Sequence, residues 1–431
     1  MKILLRNGTL INQGEVEPTP LDILIVDGRI AALGRDIAAP DAQGIDLGGR
    51  VVSPGLIDLH VHLRDPGLTE KEDIASGGWS AAAGGFTSIV CMPNTKPPID
   101  SVDIVLYIQE QAAVKSPVRV FVSGAITRGL AGQGLADLDN LARSGVVLFT
   151  DDGETVMNAN LMRQALIRAR ELGLPVMPHC EDKNLSGPGV MHAGEVARQL
   201  GLPGQPASAE DVMVARDLIL AGETGARLHL THLSTARSVE LVRLAKARGV
   251  KVTCDVTPHN LVLTDAAVAE VGANAKMYPP LRTEADVAAL REGLADGTID
   301  AIATDHAPHT EEEKARGCLE APKGIVGLET TLAVCLDRLV HTGVITLPEL
   351  LRKMTVNPAR IIGLPQEGIV PGARADLTVI DPDYRWLVDR EKFTSKGKNT
   401  PFHGWSLRGK PVLTMVGGKV VYREPGYWQG T

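Results

Sequence analysis

The chain has 431 residues, of which 44% are hydrophobic and 22% charged, with a net charge of −8. That length allows two or three domains, or one large barrel with an appendage, and the balance excludes disordered, collagen-like and coiled-coil architectures. Aromatics make up only 3% and no basic run occurs, so nucleic-acid stacking and polyanion binding are disfavoured against a small-molecule ligand.

The start, Met1-Lys2-Ile3-Leu4-Leu5-Arg6, lacks the apolar core of a signal peptide, and no run reaches the ~18 apolar residues of a membrane span, so a cytoplasmic location is expected. Residues 1–54 read as short strands: Ile3–Leu5, Leu10–Ile11, Ile23–Val26 and Ile30–Leu33, punctuated by Asn7-Gly8 and Asp27-Gly28 turns. From 55 to 365, eight β-branched runs alternate with Ala/Leu/Arg-rich amphipathic stretches, the pattern of βα units and a parallel sheet. The runs are Leu56–Val61, Thr87–Met92, Val118–Gly124, Val146–Thr150, Pro175–His179, Arg227–His232, Lys251–Val256 and Ile299–Thr304. Between the fifth and sixth, Ser208–Ala221 reads as a helix, with Ser208 and Asp211 suited to its start.

Eight strands over this length match an α/β fold of the (β/α)8 TIM barrel type, with a doubly wound open sheet as the competing architecture; no Gly-x-Gly-x-x-Gly follows the first central strand. Residues 366–431 return to strands, at Asp376–Ile380, Val412–Met415 and Lys419–Tyr422. The two ends are therefore expected to bury their apolar faces together as one small composite β-sandwich domain. Five scattered cysteines indicate neither a disulfide framework nor a thiolate metal site, and read as small buried hydrophobes.

Metal-ligand residue types fall at the carboxyl ends of the central runs, where barrels place their chemistry. The first gives Asp58-Leu-His-Val-His62, and the strand period of two puts His60 and His62 on one face. Others end in Thr150-Asp-Asp-Gly153, Pro178-His-Cys-Glu181, Thr231-His-Leu-Ser234 and Ala303-Thr-Asp-His-Ala-Pro-His309. Four histidines and two aspartates suit Zn2+ or a similar divalent ion. Two such ions need a bridge, for which the Asp152 carboxylate and a hydroxide would serve. The ions lower the pKa of bound water from 15.7 towards ~7 and polarise a carbonyl, the equipment for amide hydrolysis. Asp305 would take the hydroxide proton and deliver it to the leaving nitrogen, as general acid and base.

Taken together, Pro54-Gly-Leu-Ile-Asp-Leu-His-Val-His-Leu-Arg-Asp-Pro-Gly67, Met92-Pro-Asn-Thr95 and Ala303–His309 resemble the dihydroorotase family, in its longer bacterial type I class within the amidohydrolase superfamily. The likeness extends through Gly368-Ile-Val-Pro-Gly-Ala-Arg-Ala-Asp-Leu377. It implies reversible cyclisation of N-carbamoyl-L-aspartate to L-dihydroorotate plus water, a step of de novo pyrimidine synthesis, with two zinc ions per chain. His60, His62 and Asp305 would hold one ion, His179 and His232 the other, and Asp152 would bridge, with Asp151 as its ambiguous neighbour. His62, Arg64, Asn94, His309 and Gly324 would contact substrate; a guanidinium such as that of Arg64 matches a carboxylate bidentately.

Hydantoinases, allantoinases and other dihydroorotase classes resemble one another in a bridging lysine, absent from Phe149-Thr-Asp-Asp-Gly153. A different cyclic amidase, such as a hydantoinase or allantoinase, is the alternative enzyme reading, against which Asp152 in place of lysine, Arg64 and Asn94 argue; a weakly active scaffold bound to aspartate transcarbamoylase is the alternative from another class. Partners implied are the small-molecule substrate, a second copy of the chain and aspartate transcarbamoylase. Two positions depart from the family pattern: Tyr278 replaces a common Asn, and Lys323 replaces the Phe before Gly324. His259 reads as structural, and His192, His229, His341 and His403 as ordinary. Thr310-Glu-Glu-Glu-Lys314 reads as the acidic first turn of a helix, within a segment, His309–Gly324, expected to close as a lid about Gly317.

Overall fold

The computed structural model describes residues 1–13, 15–16, 20–365 and 367–428. It is a mixed α/β molecule with a curled parallel sheet at its centre. Strand Leu56–Val61 pairs with Phe86–Cys91, which pairs with Arg119–Gly124, which pairs with Leu148–Phe149, all parallel. A second parallel group runs Leu228–Leu230, Val252–Val256, Ala301–Ile302. Single-residue bridges join the edges of the two groups, Phe149 to Val176, Val176 to Leu228, and Val61 to His306.

The fifth run, Pro175–His179, contributes only its bridge at Val176 and forms no strand of its own. Pro175 and Pro178 have no N–H to give a ladder, so pairing stops where the prolines fall. A register shift lies between Asp58 and Val61 in the first strand. Such an irregularity re-aims side chains, and it sits on His60.

The ends of the chain meet in a nine-stranded sheet. Lys2–Asn12 pairs with Leu21–Val26 and, in parallel, with Val51–Pro54; Val51–Pro54 in turn pairs antiparallel with Leu377–Leu387, followed by Ser406–Val416 and Lys419–Arg423. The two half-sheets thus join edge to edge as well as sharing a core, in which Ile3, Leu5, Ile23 and Val52 pack with Leu377, Val379 and Leu413. Asn7-Gly8 is not a hairpin turn. Lys2–Asn12 runs straight through it, with a register shift between Leu5 and Gly8 and Asn7 at φ +56°. A Cβ on Gly8 would come within 2.7 Å of Val52 Cγ2, so the strand there needs glycine. Asp27-Gly28 does make the expected hairpin, with both residues at positive φ.

The helix read from Ser208 spans Ser208–Thr224, but its N-cap is Ala207 with no side-chain cap. The Asp211 carboxylate is engaged elsewhere, accepting from Thr235 Oγ1 at 2.6 Å. Helix Glu311–Lys314 forms as expected behind a Thr310/Glu313 capping box. Cys91, Cys180, Cys254 and Cys335 are buried, and Cys318 is half-buried.

Candidate metal centre and active site

Four imidazoles and two carboxylates from the ends of five separate central runs converge in one buried cluster. His60 Nε2 stands 3.1 Å from Asp152 Oδ2 and 3.4 Å from Asp305 Oδ1. His62 Nε2 lies 3.1 Å from the same Asp305 oxygen and 3.4 Å from Asp152 Oδ2. On the far side, His179 Nδ1 is 3.1 Å from His232 Nε2, and these two atoms are 3.5 and 3.4 Å from Asp152 Oδ1. The two oxygens of Asp152 therefore face two different pairs of histidines. Asp151 turns away and accepts from the backbone N–H groups of Ile126 and Thr127 at 2.8 and 3.0 Å.

Each histidine is oriented through its other nitrogen or its backbone. His60 Nδ1 meets Thr231 Oγ1 at 2.9 Å, His62 Nδ1 meets Asn94 Oδ1 at 2.7 Å, and His179 Nε2 meets Glu181 Oε2 at 3.1 Å. The His232 N–H donates to Asp255 Oδ1 at 2.6 Å, and Asp255 is braced in turn by His229 Nε2 at 2.9 Å. Fixing one ring nitrogen sets which nitrogen is left to bind a metal. Thr231, Glu181, Asp255 and His229 had no role in the sequence reading. Thr231 and Glu181 do lie inside the quoted strand ends, one residue before His232 and two after His179, and that proximity was their only signal.

The chemistry of the donor set fits a cation. His60 Nε2 is buried without a hydrogen-bond partner. Against the effect of burial, the Asp152 and Asp305 carboxylates push His60 up to about 10, and Asp152 with Glu181 pushes His179 up to about 9. Imidazoles made this basic mark a place where buried carboxylates demand positive charge. Although burial opposes ionisation, Asp152 and Asp305 are both held below the usual carboxylate range, His60 being the leading charge on each. Among the described residues, two groups have all their ligand atoms within 4.8 Å of one another, His60/His62/Asp305 and His60/Asp152/His232. Either could hold a metal ion, and His60 is common to both.

Arg64 adjoins this cluster. It is buried, which pushes it down to about 10, and its Nε donates to the Pro308 carbonyl at 3.3 Å while Nη2 lies 3.4 Å from His309 Nε2. Burial and the nearby Arg64 push His309 down to about 2, so it stays neutral, donating from Nε2 to the Lys323 carbonyl at 2.8 Å and leaving buried Nδ1 without a hydrogen bond. Asn94 is half-buried, its oxygen committed to His62. The backbone of Gly324 already has protein partners. Its N–H donates to the Lys276 carbonyl at 2.9 Å, and its oxygen accepts from Lys314 Nζ and Asn399 Nδ2, both at 3.0 Å. Gly324 serves as close-packed wall, since a Cβ at its φ of +127° would fall 2.6 Å from Ala307 Cβ. Burial pushes His259 down to about 4, and it faces the charges of Asp305 and His232.

Arg64, His232 and Asp305 adopt φ of +61°, +40° and +47°. Left-handed backbone at three non-glycine residues of one site is strain that the surrounding bonds must hold.

Solved structures similar to this fold include the L-hydantoinase of Arthrobacter aurescens, with a TM-score of 0.88 and 30% identity over 98% of this chain and 96% of that one. The dihydropyrimidinase of Brevibacillus agri superposes with a TM-score of 0.86 at 25% identity, covering 98% and 95% of the two chains. Fold and site thus define a hydrolase of the cyclic amidohydrolase class. Within it, the profile of the family described as dihydro-orotase-like matches residues 49–238. Dihydroorotases of Pelotomaculum thermopropionicum and Geobacter metallireducens are 53% and 51% identical to this chain, covering 98% of it and 99% and 100% of their own lengths. The chain belongs to the dihydroorotase family.

Proposed function

We propose that this protein catalyses the reversible cyclisation of N-carbamoyl-L-aspartate to L-dihydroorotate and water in de novo pyrimidine synthesis. The observation that carries the reading is the convergence of four imidazoles and two carboxylates beside a buried arginine. In this reading His60, His62 and Asp305 would hold one zinc ion and His179 and His232 a second, with Asp152 shared between them. Zinc held there would supply Lewis acidity, a more acidic water and a polarised amide carbonyl.

The remaining steps belong to the chain's own residues. Arg64 presents its guanidinium to the carboxylate that the substrate keeps in both directions, with neutral His309 packed beside it. Asn94 holds the His62 ring through Nδ1, which leaves its own Nδ2 to the substrate. In hydrolysis Asp305 takes a proton from the attacking water at a carboxylate oxygen and delivers it to the departing ring nitrogen. In synthesis it returns that proton. Its ionised resting state suits the first of these roles.

The architecture belongs to the same proposal. The three bridges that join the parallel groups support an eight-membered (β/α)8 barrel over 55–365, and the shared sheet supports a composite β domain from 1–54 with 366–431, of which residues 14, 17–19, 366 and 429–431 lie outside those described. No helix among the described residues is long and apolar enough to cross a membrane, which accords with a cytoplasmic enzyme. Homodimerisation and association with aspartate transcarbamoylase are further parts of this reading, tested by molar mass in solution and by co-elution.

Elemental metal analysis of the purified chain beside assays with dihydroorotate, hydantoin and allantoin tests the function. About two zinc per chain and turnover of dihydroorotate alone are expected, with synthesis favoured at acid pH because closure consumes a proton. Preferential turnover of hydantoin or allantoin would assign a different cyclic amidase, and a metal-free protein with full activity would sink the mechanism.

A further inference from the structure

Lys323 sends its backbone and its side chain to opposite ends of the site. Its carbonyl accepts from His309 at the arginine end. Its ammonium lies 4.1 Å from the centre of the Tyr278 ring and 3.9 Å from Glu181 Oε2, the carboxylate that orients His179. Tyr278 is itself fixed, its hydroxyl donating to the Gly189 carbonyl. A separation of 3.9 Å is beyond hydrogen-bond reach, and the side chain is 39% exposed. The ammonium is thus held by a ring and a charge while its N–H groups remain free for a ligand. The neighbouring cation, Lys183, is already paired with Glu154.

The two compounds of the proposed reaction differ in charge. The open chain carries two carboxylates, and ring closure consumes one of them, leaving the other at the Arg64 end. The carboxylate that exists only in the open chain would form at the histidine end of the site, the end at which the Lys323 ammonium lies beside Glu181. We propose that Lys323, propped by Tyr278 and Glu181, is a specificity-determining residue that favours binding of the carbamoyl dicarboxylate over the ring. The proposal rests on the reaction assigned above.

The test compares KM in both directions for the wild type, Lys323→Gln, Lys323→Arg and Tyr278→Leu. The overall equilibrium constant is fixed, so kcat/KM must fall by one common factor in both directions, and the preference is read in KM. Loss of one unit charge at this range raises KM for the dicarboxylate about tenfold in Lys323→Gln, and KM for the ring less than about threefold. Lys323→Arg keeps the wild-type ratio of the two, and Tyr278→Leu shifts it part of the way. Equal rises in both, or a fall in melting temperature with an unchanged ratio, overturn the proposal. Calorimetric binding of succinate and butyrate separates the two readings. Wild-type protein that turns over neither compound sinks the reaction, whereas an unchanged succinate-to-butyrate affinity ratio in Lys323→Gln sinks the role of Lys323.

Discussion

At the scale of single residues, the ligand types were legible because strand periodicity and strand ends are properties of the chain itself. His60 and His62 share a face two residues apart, His179 and His232 each close a central run, and Asp305 directly follows one. What could not be read was which nitrogen of each ring faces inward, since that is decided by neighbours on other strands: Thr231 for His60, Asn94 for His62, Glu181 for His179. The same holds for Asp151 and Asp152, adjacent in sequence and separated only by the N–H groups of Ile126 and Thr127 that claim the first. At Asp305 the prediction is direct. Asp305→Asn keeps a side chain of equal size but removes the proton acceptor, so dihydroorotate hydrolysis is expected to fall by about 10²–10⁴-fold with most of the metal still bound. Steady-state rates beside metal content check this, and near-normal turnover would remove Asp305 from acid/base duty.

At the scale of elements, most strands and the Thr310 cap followed from local pattern, and the plainest misreading came where partner strands overrode the local signal. Asn7-Gly8 has hairpin chemistry, yet pairing on both sides drew it into one bulged strand. The segment His309–Gly324, expected to close as a lid about Gly317, is tied to its surroundings by two lysines. Lys276 Nζ donates to the Leu319 and Ala321 carbonyls at 3.3 and 2.6 Å, and buried Lys314 to those of Pro322 and Gly324, both at 3.0 Å. Burial pushes Lys314 down to about 7 from 10.5. An unfolded chain keeps that proton up to about 10.5, so between the two values unfolding takes up a proton and stability rises with pH, by at most about 1.4 kcal/mol per unit. Below about 7 both states are protonated and the effect vanishes. Lys314→Met is expected to melt at lower temperature and to lose this rise, measured by thermal melts at pH 7 and pH 9. An identical pH slope in both proteins would place the titration elsewhere.

At the scale of the molecule, the sequence showed that both ends are β-rich and that the middle alternates. It could not show that Val51–Pro54 is the seam, bonded on one edge to the chain's beginning and on the other to Leu377–Ile380. Removing the tail leaves that seam with an open edge and strips Leu377, Val379, Val412 and Leu413 from the core they share with Ile3 and Ile23. A chain ending at Asp376 is therefore expected to accumulate as aggregate. Soluble yield and size-exclusion chromatography measure this, and a soluble, monodisperse truncated protein would contradict it.

That seam also sets an order in time. Val52 and Val379 are register partners, and at a synthesis rate of about 5–20 residues per second the roughly 330 residues between them take tens of seconds to emerge. Throughout that interval the first strands hold an unpaired edge, while the metal-binding strands are made and meet one another. The amino terminus is the first part of this protein to be made and among the last to be completed.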